Sequence, residues 1–441
     1  MSEDVFNIKK LNEEYFCFNT ISELQNASEG ILKDYLISVK DCICVKDMET
    51  TAGSAILKGY KPLFNATAVQ KVLDEGAKII GKTSQDEFGF GSFSLNVGVG
   101  MKYPLNPINK NHVTGGSSGG SACITKLLKN HISLAESTGG SIVCPASYCG
   151  VVGLCPTYGR VSRYGLIDYG NSLDKIGPMA NTVKECALAL EVISGYDSKD
   201  STSLNVPVDK YSSYLERDIS NLKIGIIKEA LGDGTSEVVR NKFDEMVRKL
   251  RDKGAVIDEV SLPLNFKYGI PTYYIIALSE SSTNLSKFCG IRYGVEGDLK
   301  ESYNAYFTKI RSENFGNEAK RRILLGTFAR MSGHRDAYYI KATKVRTLLI
   351  KEYKKLFEEY DVLISPTMPN QAPKIEDATK LSPLENYMMD VLTVGPNLAG
   401  LPHISVPIGK ELDLPVGFMV IGDHLKEGLI LQVANEVEKN V

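Results

Sequence analysis

Leu222-Lys223-Ile224-Gly225-Ile226-Ile227, then residues 236–253, then Gly254-Ala255-Val256-Ile257 follow one another in the second half of the chain. The first piece is an apolar run of strand length. The second is amphipathic at helical spacing, and the third places a glycine stop before a new apolar run. Strand, helix and strand in close succession are the grammar of an α/β protein in which helices cover a sheet. The same grammar extends toward the N-terminus. Tyr35-Leu36-Ile37-Ser38-Val39 reads as a buried strand ending at Lys40-Asp41, residues 67–76 read as a helix stopped by Gly76, and Ala77-Lys78-Ile79-Ile80-Gly81 reads as a strand. Toward the C-terminus, residues 335–358 read as a long helix with Arg and Lys on its outer face. Tyr360-Asp361-Val362-Leu363-Ile364-Ser365-Pro366 is then a strand closed by proline. No Pro/Gly/Ser linker divides the chain. A single domain over residues 31–441 is expected, behind a weakly patterned segment of residues 1–30.

Bulk properties exclude more than they assign. A formal net charge of −2 leaves no electrostatic footprint for nucleic acid or an anionic membrane. The basic run Lys320-Arg321-Arg322 taken by itself reads as a solvated helix face. Nine cysteines, an odd number in a long chain, do not form a disulfide framework and fit a reduced compartment. Cys144, Cys149 and Cys155 lack the paired spacing of zinc sites and read as small buried residues. The acidic start Met1-Ser2-Glu3-Asp4-Val5-Phe6 is neither a secretory signal nor a transit peptide. No window approaches ~18 uninterrupted apolar residues, so no membrane span and a cytoplasmic location are expected.

Chemistry concentrates between about residues 83 and 180, a stretch dense in Gly and Ser. It holds Gly115-Gly116-Ser117-Ser118-Gly119-Gly120-Ser121 and Ser137-Thr138-Gly139-Gly140-Ser141. Its glycines alternate with apolar residues, as in Gly150-Val151-Val152-Gly153-Leu154-Cys155-Pro156, which points to ordered backbone rather than linker. Phosphate binding is one reading, but neither run is followed by the Gly-Lys-Ser/Thr of a Walker loop. A second reading is the nucleophile elbow of an α/β-hydrolase, because Gly115 to Gly119 satisfies G-x-S-x-G. That elbow needs an apolar strand leading into its serine, and the approach here is Asn109-Lys110-Asn111-His112-Val113-Thr114. The third reading is a serine hydrolase with a lysine base. A lysine accepts a proton only when neutral, and burial in apolar surroundings disfavours its charged form. Lys40, directly after the apolar run Leu36 to Val39, is the candidate.

The order and spacing of these blocks resemble the amidase signature family. Gly115 to Ser121, Thr138 to Ile142 and Cys149 to Pro156 stand in the family's arrangement. The resemblance implies a single α/β/α domain built on a large mixed central sheet covered by helices. It implies Ser141 as nucleophile, Ser117 as proton relay through a cis Gly116–Ser117 peptide, and Lys40 as base. Backbone N–H groups around Thr138, Gly139, Gly140 and Ser141 would form the oxyanion hole, with Ser118 as a further substrate contact. Within the family, further blocks are similar to the glutamine-hydrolysing A subunits of tRNA-dependent amidotransferases. They include Tyr158 to Leu166, Ser172 to Pro178, Arg321-Arg322-Ile323 and Asn397 to Pro402.

That narrower resemblance implies glutamine as substrate, with Arg322 for its α-carboxylate, Asp390 for its α-ammonium and Tyr273 as an added contact. It implies no cofactor or metal in this chain. ATP and Mg²⁺ would belong to a partner B subunit that grips the tRNA and converts Glu-tRNA(Gln), and a small C subunit would be a possible third member. Two positions depart from the family pattern beside Ser141: an acid is replaced by Ser137 and an arginine by Val143. Cys42 stands where asparagine is common, and the short N-terminal region is similar to archaeal or organellar members. A stand-alone amidase on small or acyl amides, or a structural subunit whose amidase site has decayed, are the competing expectations.

Overall fold

The computed structural model describes residues 3–298, 300 and 302–441. Its strands are β1 (Phe18–Leu24), β2 (Leu36–Lys40), β3 (Lys78–Thr83), β4 (His131–Ser137), β5 (Val152–Cys155), β6 (Lys175–Ala180), β7 (Lys223–Ile227), β8 (Val256–Val260), β9 (Val362–Pro366), β10 (His403–Glu411) and β11 (Leu414–Gly422). They join one 11-stranded sheet in the order β1-β3-β2-β4-β6-β5-β10-β11-β9-β7-β8. Parallel pairs (β3 with β2, β2 with β4, β9 with β7, β7 with β8) flank an antiparallel centre, so the sheet is mixed, as expected.

Both faces are covered, which the alternation of side chains along a strand makes visible. In β9, Val362 and Ile364 belong to the main apolar core while Leu363 joins a second cluster. In β11, Val420 and Phe418 likewise part from Met419 and Ile421. Helices Val183–Ile193, Glu237–Asp252 and Glu427–Lys439 feed the main core. Tyr353 of helix Lys341–Leu356 and Leu262, which leads into helix Pro263–Asn284, pack on the second cluster. Helix Glu237–Asp252 starts where the sequence predicts, because the Ser236 side chain accepts from the Val239 N–H.

Three sequence expectations change in detail. The first thirty residues, weakly patterned, contain a helix (Glu3–Tyr15) and strand β1, which pairs antiparallel with β3 at the sheet edge. The single helix expected over 335–358 is a short π-turn, Asp336–Ile340, running into Lys341–Leu356. The basic run 320–322 is not a wholly solvated face: Arg322, on helix Asn317–Arg330, is 3% exposed. Among the described residues no helix is long and apolar enough to cross a membrane.

The fold positions the site through β2 and β4. They are parallel neighbours, in register from Leu36 with His131 to Val39 with Leu134. Their carboxyl ends therefore deliver Lys40 and Glu136 side by side. In open α/β sheets this end of the strands is where ligands bind.

Candidate active site

Lys40 is fully buried at the last position of β2. Its Nζ lies 2.7 Å from Ser117 Oγ, 2.9 Å from the Glu136 carbonyl oxygen and 2.8 Å from Glu136 Oε2. The expected burial is present, but the expected apolar surroundings are not. The amine sits among three oxygens, one of them a carboxyl oxygen of the 3%-exposed Glu136, because an amine buried without such partners is costly. Ser117 is held in the loop before helix Gly119–Leu127, and the Gly116–Ser117 peptide is cis.

Ser141 lies between β4 and helix Val143–Cys149. It lines a small enclosed cavity together with Gly116, Gly140, Tyr169, Tyr273, Tyr274, Arg322 and Asp390. Its hydroxyl makes no hydrogen bond among the described residues, so the direct polar contact in the serine–lysine set is that of Lys40 with Ser117. The backbone N–H groups of Gly139, Gly140 and Ser141 donate to no acceptor among the described residues, which leaves them free beside the Ser141 hydroxyl. Glycine is required here by close approach. A Cβ on Gly139 would stand 2.5 Å from the Tyr273 hydroxyl, and one on Gly140 would stand 2.4 Å from Thr393 Oγ1. Thr138 turns its side chain away from Ser141, its Oγ1 lying 2.8 Å from both Glu136 Oε1 and Asp174 Oδ1. Ser118 does not line the cavity; its hydroxyl donates to the Glu136 carbonyl at 3.2 Å.

The opposite wall comes from the helical half. Arg322 places its guanidinium 4.9–5.6 Å from the rings of Phe90, Tyr169, Tyr274 and Tyr387. Its Nε donates to Glu318 at 2.8 Å and its Nη1 to the Tyr169 hydroxyl. Asp390, in the turn after helix Pro383–Met388, accepts from the Tyr274 hydroxyl at 2.6 Å. Burial pushes the Asp390 carboxyl up from its ordinary value, against hydrogen bonds from Tyr274 and Ser92 and the Arg322 charge. A buried cation and a buried anion thus face one cavity with a serine hydroxyl. Arg322 also borders a groove of about 320 Å³ lined by Ser92, Phe93, Glu318 and Tyr387. A larger cavity of about 620 Å³, at Tyr158, Arg163, Asp200 and Glu280, contains none of the serine–lysine set.

The amidase family model matches residues 19–431. The chain belongs to the amidase family. The A subunit of glutamyl-tRNA(Gln) amidotransferase from Bacillus pumilus is 48% identical over 410 residues, 93% of this chain and 84% of that protein. The corresponding protein of Microcystis aeruginosa is 46% identical over 404 residues, 91% of this chain and 83% of that one. Among solved structures, the A subunit of glutamyl-tRNA(Gln) amidotransferase from Thermotoga maritima superposes with a TM-score of 0.85 at 36% identity, covering 99% of this chain and 90% of that one.

Of the two departures from the family pattern, Val143 removes the arginine's positive charge, whereas the acid missing at Ser137 has a counterpart one residue earlier in Glu136, whose carboxyl oxygen lies 2.8 Å from Lys40 Nζ. Val143 joins the apolar cluster with Leu363, Met419 and Ile421, and the Ser137 hydroxyl is buried with no hydrogen-bond partner among the described residues. Cys42, the third departure, donates its N–H to Gln85 Oε1 and brings its sulfur within 4.0 Å of Glu136 Oε2. Burial raises that thiol well above its ordinary value, so it is no competing nucleophile. Sequence reasoning assigned no role to Glu136, Asp174, Tyr274 or Glu318. One signal was available. Position 136 carries an acid where the family pattern has serine, beside the position where the family's own acid is missing.

Proposed function

We propose that this chain is the glutamine-hydrolysing subunit of a tRNA-dependent amidotransferase. The observation that carries this reading is the pairing of buried Arg322 with buried Asp390 across one cavity from Ser141. A free amino acid presents a carboxylate and an ammonium at fixed separation. A guanidinium and a carboxylate are their complements, and a simple apolar or acyl amide has no use for either.

In this reading Ser141 Oγ attacks the side-chain amide carbon of glutamine. Its proton passes to Ser117 Oγ as the Ser117 proton passes to Lys40 Nζ. The developing oxyanion faces the N–H groups of Gly139, Gly140 and Ser141, each such donor being worth roughly 3 kcal/mol in a transition state. The proton returns through Ser117 to the departing nitrogen, ammonia leaves, and a glutamyl ester remains on Ser141. Water then attacks the ester with the same base, releasing glutamate and restoring the Ser141 hydroxyl. Tyr273, lying over Gly139, closes the amide end of the cavity. Arg322 and Asp390 hold the amino-acid end.

The relatives are named as one subunit of an amidotransferase, which supports a partner B subunit that consumes the ammonia. Activation of the glutamyl group with ATP and Mg²⁺, and most of the grip on tRNA, belong to that partner, with glutamine the small-molecule substrate of this chain. A small third subunit fits the same assembly. Enclosure of the site keeps ammonia from being lost to water as ammonium.

The test is ammonia release from glutamine by the chain with its partner and Glu-tRNA(Gln). Turnover stimulated by the charged tRNA is expected. Turnover of simple amides without glutamine would replace this reading by a stand-alone amidase. No turnover of either by an intact complex would replace it by a purely structural role.

A further inference from the structure

Arg322 and Asp390 face one cavity, and a second path joins them outside it. Arg322 Nε donates to Glu318 Oε1 at 2.8 Å, one turn back on helix Asn317–Arg330. The Tyr387 hydroxyl, from helix Pro383–Met388, donates to the same oxygen at 3.0 Å. The Tyr387 ring is stacked on that of Tyr274, with centroids 3.9 Å apart and planes 22° from parallel. The Tyr274 hydroxyl, from helix Pro263–Asn284, donates to Asp390 Oδ2 at 2.6 Å. Three helices thus close a bracket that runs from Arg322 through Glu318, Tyr387 and Tyr274 to Asp390.

Each link carries the proton it needs. Burial and the Asp390 charge push the Tyr274 phenol well above its ordinary value, so it stays a donor. Burial works against the Glu318 carboxylate, but the Arg322 charge and the hydrogen bonds from Arg322 and Tyr387 outweigh it and hold that carboxyl below its ordinary value. Arg322 is held a second time, because Nη1 donates to the Tyr169 hydroxyl. Its Nη2 makes no hydrogen bond among the described residues and is left for a carboxylate. Tyr274 borders the Ser141 cavity. Glu318 and Tyr387 do not, and line the neighbouring groove instead.

The spacing of two anchors matters only to a ligand that uses both. An amino acid carries its carboxylate and its ammonium on one carbon. If the guanidinium and the carboxylate that receive them drift apart, the ligand keeps one contact and loses the other. Anchors fixed beforehand avoid that ordering cost on binding. A ligand with a single charge can follow its one anchor and gains little from the bracket.

We propose that Tyr274 and Tyr387 are positioning residues which, with Glu318, fix the spacing of Arg322 and Asp390 and so make the site select amides that carry an α-carboxylate and an α-ammonium together. This inference rests on the proposed role of Arg322 and Asp390 as the amino-acid anchors.

Three ligands test it on the assembled enzyme: glutamine, glutaramate (glutamine without its α-ammonium) and 4-aminobutanamide (glutamine without its α-carboxylate). The two analogues are read as competitors of glutamine turnover, so neither has to be a substrate. Tyr274→Phe keeps the ring and the stack and deletes the hydroxyl that holds Asp390. It is expected to raise KM for glutamine and the inhibition constant of 4-aminobutanamide about tenfold. Glutaramate should stay within about twofold and kcat within about threefold. Tyr387→Ala removes the stack without altering the cavity wall. It is expected to raise KM for glutamine about tenfold while both analogues stay within about threefold, and Tyr387→Phe, which keeps the stack, should remain within about threefold of wild type throughout.

Losses of one size for all three ligands, as general loosening of the fold would give, overturn the proposal. So does an unchanged KM for glutamine in Tyr274→Phe or Tyr387→Ala. A wild-type enzyme that binds either analogue as tightly as glutamine refutes instead the anchor roles of Arg322 and Asp390, and the inference falls with them.

Discussion

Two lysines on neighbouring strands, Lys40 on β2 and Lys82 on β3, are both fully buried next to an acid, yet their surroundings differ in kind. Lys82 Nζ meets Thr50 Oγ1 at 2.8 Å, the Asp41 carbonyl at 3.3 Å and Asp41 Oδ1 at 3.6 Å. Asp41 is itself tied down by Thr51, by the Gly53 N–H at 3.1 Å and by Asn19 at 2.9 Å. Burial lowers the Lys82 proton affinity, while the Asp41 charge works the other way. The polar partners of Lys82 Nζ, Asp41 and Thr50, both lie in the loop after β2, and neither lines the Ser141 cavity. Lys40 has one neighbour, Ser117, in the loop whose Gly116 lines that cavity. Burial beside an acid is therefore common to both lysines; in the proposed mechanism Lys40 differs by its third partner, a hydroxyl that can pass a proton onward.

This contrast is open to attack by mutation. Lys40→Ala is expected to reduce kcat for glutamine hydrolysis by about 10⁴-fold or more while circular dichroism stays native, since members of a catalytic unit are lost nearly all at once. Lys82→Met is expected to do the reverse. Leaving Asp41 buried without its cation costs about 3–5 kcal/mol in urea unfolding, while kcat per folded molecule holds. Equal losses of activity in the two variants would erase the distinction.

Glu87 is the control, a buried acid with no salt-bridge partner among the described residues. It accepts from Ser54 and from the Gly316 N–H that precedes the Arg322 helix. Burial raises its pKa to about 7. The unfolded chain then releases this proton near 4.5 and the folded chain near 7. Its stabilising contribution is complete below pH 4.5 and lost as pH rises through 7. Glu87→Gln should therefore be the more stable protein at pH 8, by at most roughly 3 kcal/mol, and near wild type at pH 4.5. A gap of the same size at both pH values would mean that Glu87 does not titrate this way. The smallest effect belongs to the opposite wall. Arg322→Ala is expected to raise KM for glutamine about 30-fold, as for one charged hydrogen-bonded contact. Ammonia-driven transamidation by the assembled enzyme should be retained, because that reaction bypasses the cavity.

The sheet was legible because each edge of its elements carries a local signal. Gly76 ends its helix with a positive φ of 85°, Ser236 caps the helix after β7, and Pro366 closes β9. In the excursion between β8 and β9 only the helix ending at Leu356 was legible; helix Pro263–Asn284 was not, because it buries serines and asparagines among its apolar residues and carries Pro271 inside, which hides its period. In the site, Ser117, Ser141 and Lys40 stood out through spaced Gly/Ser blocks and an apolar strand. Arg322 and Asp390 stood out only through the family resemblance, because their local sequence reads as surface charge and burial comes with the fold. Glu136 escaped notice for a different reason. Local sequence shows that a strand residue is acidic, but which side chain it meets depends on the pairing of β4 with β2. Asp174 adds a third element, the loop before β6, that no single stretch of sequence connects to the other two.

The central claim is that Ser141 becomes glutamylated through Lys40 and Ser117. Acid quenching of the enzyme during glutamine turnover, followed by peptide mass spectrometry, tests it directly. The account predicts a glutamyl ester confined to the peptide bearing Ser141, absent from Ser141→Ala and strongly reduced in Lys40→Ala. An ester on another residue, or undiminished ammonia release by Ser141→Ala, would contradict it.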